Sequence, residues 1–396
     1  MTVLRGRGAK FGRMAPLGIL ARWALALLAT TGAGQAWAGE APHDHSVPAE
    51  TSRQQHLLVT QGEAQLMAGN AAGAQQAFEA AAGMVHAADA ELGLVRAYMQ
   101  AGAYRQALSF AAHAAGAHRE VPGGMALYAW LLTIGGQQTV ALRILDEWID
   151  RLPDDATLIE ARTQLATSAP RAGARLLASP WRTAPQDGAL PIPFGTTVRA
   201  TGVLSNDARQ AWVPASALEG AQRVWVRNGL GQCVSATVAQ IDVELEVALL
   251  ELGEGLPAPH RLAWSPTAPS AGGPSYLVEF VESDDSQPAW PFLRQGFFAR
   301  YPDPLKPRRL GIEVPPGRHG GPVLDRLGQF AGIAIQASDG SAQLLPSALI
   351  AQRWPRLAAG EPPSAPDTPV APVAPVAPVA MFEAALTRVL QVLVLR

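Results

Sequence analysis

The densest concentration of chemistry-bearing residues in this 396-residue chain is Gly317-Arg318-His319-Gly320-Gly321-Pro322-Val323-Leu324-Asp325. Closely spaced glycines let the backbone turn so that successive N–H groups converge on one point, which is how an oxyanion is stabilised. His319 adds an imidazole that can give or take a proton there. Other candidates are weaker. His43-Asp44-His45 sets two imidazoles around a carboxylate, enough to hold a metal loosely, but a polar, Pro-containing segment supplies no fixed geometry. Cys233 is the single cysteine, so no internal disulfide can form, and a lone thiol beside an apolar run reads as core. His260 lies in a Pro-flanked connector, and His56, His86, His113 and His118 are scattered through Ala-rich runs as solvated or packing residues. No metal and no cofactor is expected.

Strands must hold the glycine turn. From Pro191 to Leu357 short β-rich runs alternate with Gly, Pro, Asn and Asp. They fall at residues 198–204, 210–213, 223–226, 236–241, 247–250, 261–264, 276–281, 295–301, 308–314, 322–324, 330–335 and 343–345. This spacing predicts paired antiparallel barrels or a sandwich, closed by a helix over 347–354. The turn resembles the nucleophile loop of trypsin-like serine proteases, Gly-x-Ser-Gly-Gly-Pro followed by a strand, Asp, Gly and a second strand. Gly202-Val203-Leu204, the run from Trp212 to Ala221, and Val224-Trp225-Val226-Arg227 resemble that family's first barrel. Asp242-Val243-Glu244-Leu245-Glu246-Val247-Ala248-Leu249-Leu250 resembles the segment carrying its aspartate, and Leu344-Leu345-Pro346-Ser347 its final strand.

The resemblance implies a triad with its members replaced: Ser216, Glu246 and His319 stand where the family has His, Asp and Ser. These types cannot be permuted, because the ordinary arrangement needs an imidazole to take the serine proton and a carboxylate behind the imidazole. No catalytic residue is therefore expected, although Gly317, His319, Gly320 and Gly321 keep an oxyanion-type loop. The alternative is an active secreted trypsin-like endopeptidase with an atypical triad.

Upstream, residues 54–179 carry Ala-rich helical runs broken by Gly69, Gly102 and Gly135-Gly136. Ala74, Ala107 and Ala141 recur at spacings of 33 and 34 residues, the period of tetratricopeptide repeats. Gly62, Phe78, Ala81, Ala114, Leu145 and Pro153 fall at the matching register positions, so the region resembles three such repeats capped by a helix pair over 157–177. Stacked helix pairs of this kind bind peptides or protein segments.

The ends complete the plan. Arg5 to Arg22, an apolar run over 23–33 and Ala36-Trp37-Ala38 have the layout of a secretory signal peptide at residues 1–38, placing the mature chain in a bacterial periplasm. A flexible lead-in is expected at 39–53, a Pro-Val-Ala linker at 358–380, and an amphipathic helix over 381–396 that docks on a partner, a membrane surface or its own chain. A formal charge of −2 gives no reason to expect nucleic acid. The expected molecule is a multidomain protein: an all-α tetratricopeptide-like solenoid, an all-β trypsin-like double barrel at 190–357, and a tethered C-terminal helix. The expected function is periplasmic protein–protein interaction through the repeats and the tail, without catalysis.

Overall fold

Three glycines set the pitch of the N-terminal half. Gly69, Gly102 and Gly136 have φ of 74°, 79° and 83°, backbone that only glycine adopts freely. Each closes a helix with the same pair of hydrogen bonds, such as Gly102 N to Met99 O at 3.0 Å and Ala103 N to Tyr98 O at 2.9 Å. The structure, a computed structural model, describes residues 48–358 and 374–396 apart from 179–181, 189, 266, 301–302, 304, 316, 318 and 338. The expected leader, His43-Asp44-His45 and most of the Pro-Val-Ala linker lie outside the described residues.

The helical hairpins are α1 (Ala49–Met67) with α2 (Ala71–Met84), α3 (Ala88–Gln100) with α4 (Tyr104–Ala117), and α5 (Pro122–Ile134) with α6 (Gln138–Ile149). Then come α7 (Ala156–Leu165) and the single turn α8 (Ala174–Leu177). The lead-in is thus helical from Ala49 onward. Phe78 fills the centre of the first two hairpins, fully buried, and a Cβ added at Gly62 would come within 2.7 Å of its ring. Helices α3 and α5 are buried along nearly their whole length. They pack against neighbours on more than one side.

The second half is a pair of closed six-stranded antiparallel barrels. The first contains β1 (Thr197–Leu204), β2 (Gln210–Pro214), β3 (Arg223–Asn228), β4 (Cys233–Asp242), β5 (Val247–Leu252) and a strand from the far end of the chain, β12 (Val389–Leu395). The second contains β6 (Pro274–Glu279), β7 (Phe292–Phe298), β8 (Arg308–Gly311), β9 (Pro322–Leu324), β10 (Phe330–Gln336) and β11 (Ala342–Pro346). Helices α9 (Ser347–Arg353) and α10 (Pro355–Ala358) follow. The run at 261–264 is not a strand; Trp264 makes a single bridge to Phe330.

The tail departs from expectation. Only Pro378–Ala385 is helical (α11), and Val389–Leu395 is a strand hydrogen-bonded to β1 and β3. The reason is periodicity. Leu390, Val392 and Val394 point into the core of the first barrel, while Leu393 packs on its other side with Val198 and Trp225, an alternation of two rather than 3.6. Its β-branched content suits that pleat. Arg388 anchors the entry: fully desolvated, it donates to the carbonyls of Ser205, His260 and Ala258 at 2.6, 2.6 and 3.2 Å. Burial lowers its pKa from the usual arginine value.

The helices and barrels share one hydrophobic core. Trp130 meets Phe292 edge to face at 5.7 Å, and Tyr104 meets Phe382 of α11 at 4.6 Å. Arg105 pairs with Glu383 at 2.9 Å. The connector at 182–188 runs against α1, α3 and α5, with Gln186 donating to the carbonyl of Met67 at 2.9 Å and Trp290 donating to that of Thr183.

Candidate functional site

His319 leaves Gly317, whose φ is 155°, and enters Gly320, whose φ is 127°. A side chain at Gly320 would run into the carbonyl of Thr201 and stand 2.6 Å from Pro214 Cδ. One at Gly321 would meet the carbonyl of Val278. The turn is therefore wedged between the end of β2 in the first barrel and the end of β6 in the second, and only glycine permits that approach. Thr201 reinforces the same junction by accepting from the backbone of Phe280 at 2.8 Å.

The imidazole does not face the outside. His319 is 4% exposed, and its Nδ1 lies 3.1 Å from Oε2 of Glu279, which is 3% exposed. Arg294 on β7 donates its Nε to the other oxygen of Glu279 at 2.9 Å and reaches the carbonyl of Ser168 at 3.3 Å. A buried carboxylate needs such partners, since leaving it bare costs several kcal/mol. With Nδ1–H donating to Glu279, the imidazole presents Nε2 as its free lone pair. That atom is buried and has no hydrogen-bond partner among the described residues.

Ser216 sits on a single 3-10 turn (Ala215–Leu218) after β2, and its side chain is exposed. Glu246 is exposed too, with φ at 55° in the tight turn before β5. The backbone joins the two positions, Ala215 N donating to Glu246 O at 2.9 Å. Among the described residues no side-chain hydrogen bond joins Ser216, Glu246 and His319. The chain path thus converges while the side chains diverge.

The family model described as Trypsin-like peptidase domain matches residues 194–333. The match spans β1 to β9 and the start of β10, including the His319 loop, and stops short of β11 and the tail strand β12. Among solved structures, the serine endoprotease from Yersinia pestis is similar at 16% identity and a TM-score of 0.35, over 41% of this chain. The match spans 61% of that protein's length. No curated protein matches.

The structure keeps the glycine turn and the barrel pair, with Ser216 and Glu246 exposed and His319 buried. Two functional neighbours escaped sequence reasoning. Glu279 and Arg294 are charged residues in strands that are otherwise largely apolar, and a buried strand carrying Leu277-Val278-Glu279-Phe280 signals a carboxylate with a partner. The partner lies 40 residues away in sequence, which no local pattern shows. His260 contributes only its backbone carbonyl, to Arg388. Cys233 is partly buried, and desolvation raises its thiol pKa against the opposing pull of Arg227.

Proposed function

We propose that this is an exported, non-catalytic binding protein in which tetratricopeptide-type hairpins brace a trypsin-like barrel pair that has lost its triad. The observation that carries the reading is the sequestration of His319. A trypsin-like nucleophile must project a hydroxyl toward an imidazole and an incoming carbonyl. Here the residue in that seat is an imidazole turned inward onto Glu279, and the exposed Ser216 has no base beside it.

The partner surface follows from what the chain already covers. The inner faces of α1, α3 and α5 hold the connector at 182–188 and Trp290, and the apolar face of the tail is spent on β12 and α11. The hairpin of β4 and β5 instead exposes Val238, Ile241 and Val243, the last at 83%. Apolar side chains grouped on one protruding hairpin suit contact with an extended or unfolded polypeptide. Among the described residues no helix is long and apolar enough to cross a membrane; export rests on the leader's layout. Incubating the mature protein with an immobilised peptide array, with cleavage followed by mass spectrometry, tests this. Retention of peptides without cleavage, lost in V238S/I241S/V243S, is the expected result. Cleavage at any peptide, or binding indifferent to the hairpin variant, would overturn the reading.

A further inference from the structure

Far from the barrels, three histidines and a glutamate converge where the first two helix hairpins meet. Glu91, in the first turn of α3, has a side chain only 4% exposed. His86, two residues before α3 begins, sets its Nε2 2.8 Å from Glu91 Oε1. His113 on α4 sets its Nε2 3.7 Å from the same oxygen. His118, the residue closing α4, sets its Nε2 3.2 Å from Glu91 Oε2. One ligand atom each from His86, Glu91 and His113 can be chosen within 4.8 Å of one another. Among the described residues, every ion-pair contact of Glu91 is with a histidine, and no lysine or arginine takes part.

We propose that His86, Glu91 and His113, with His118 set against the other oxygen of Glu91, form a binding site for a divalent transition-metal ion of the zinc type. Imidazole nitrogens and a carboxylate bind such an ion at about 2.0–2.2 Å, so neighbouring ligand atoms in a tetrahedron stand about 3.3 Å apart. The three nitrogen–oxygen separations bracket that value. A second observation comes from the buried atoms. Glu91 Oε2 and His118 Nε2 are both shielded from solvent and face each other without hydrogen-bond geometry. A buried carboxylate oxygen without a hydrogen bond is costly, and a cation held by Glu91 offsets that cost.

The donor set selects the ion. Two imidazole nitrogens and one carboxylate favour zinc, cobalt, nickel or copper over magnesium or calcium, which prefer all-oxygen shells. Three protein donors leave the fourth position of a tetrahedron to water or a further ligand, the pattern of an open site. The ion would tie the end of α2, the start of α3 and the end of α4 together.

The test is zinc titration of the full mature chain after removal of metal with a chelator, repeated with cobalt to read coordination from its visible absorption. Expected are about one tight site per chain, a four-coordinate cobalt spectrum and a rise in thermal midpoint on zinc addition. H86N/H113N changes side chains that are nearly half exposed, 44% and 43%, so it should fold while losing the site, the spectrum and the thermal shift. H43N/H45N controls for the N-terminal histidines and should bind as wild type. Absence of tight binding in the wild type, or binding that survives H86N/H113N and disappears in H43N/H45N, would overturn the proposal.

Discussion

His319 shows how one residue's environment fixes what a site can do. The glycine turn around it was legible in sequence because Gly317, Gly320 and Gly321 are local. Its inward orientation was not, because Glu279 and Arg294 reach it across the sheet. The same limit hid the histidine cluster: His86, Glu91, His113 and His118 follow no single motif and meet only when two hairpins stack. Glu279→Ala should cost about 3–5 kcal/mol in denaturant unfolding, because it leaves half-buried Arg294 without its carboxylate and buried His319 without its acceptor. A loss below 1 kcal/mol would mean that the pair is solvated. At Tyr104, whose hydroxyl donates to Leu131 O at 2.7 Å in a fully buried site, Phe should cost about 1–3 kcal/mol by the same measurement. Burial raises the pKa of Cys233 above its ordinary value, so the thiolate fraction at neutral pH falls and grows only as pH rises through the higher pKa. A thiol reagent should therefore modify Cys233 slowly at pH 8 in the folded protein and much faster in urea; equal rates would contradict its burial.

At the scale of elements, the tail strand explains the barrel. Starting from β12, the first barrel runs β12-β1-β2-β5-β4-β3, and the second runs β6-β7-β8-β11-β10-β9. Both have the same order if β12 takes the place of a first strand, so the last segment of the chain fills the slot that its first would occupy. Most strands and hairpins were legible from alternation and glycine punctuation. The tail was misread because Glu383, Thr387 and Gln391 fall four apart, mimicking a helix face, whereas the open edge between β1 and β3 decides the outcome. Removing residues 389–396 deletes several fully buried aliphatic side chains, each worth about 1.5–3 kcal/mol, and leaves two strands unpaired. Circular dichroism and proteolysis should show the first barrel unfolded; a truncated chain with native melting behaviour would contradict the topology.

The described helices and barrels are joined by the core that runs from Phe78 and Trp130 through Phe292 to Phe382. Repeats read alone predict an independent helical unit, whereas the shared core predicts a single cooperative transition by calorimetry for the intact chain. Separate transitions for helices and barrels would count against that coupling. We propose that the trypsin-like barrels carry no serine nucleophile. Fluorophosphonate labelling of the mature protein, read by intact mass and peptide mapping, addresses it directly, because the probe reacts only with a serine activated by a neighbouring base. The account predicts no adduct on Ser216 or any other serine of residues 194–357. A stoichiometric adduct on one of them would show a working hydrolase and contradict it.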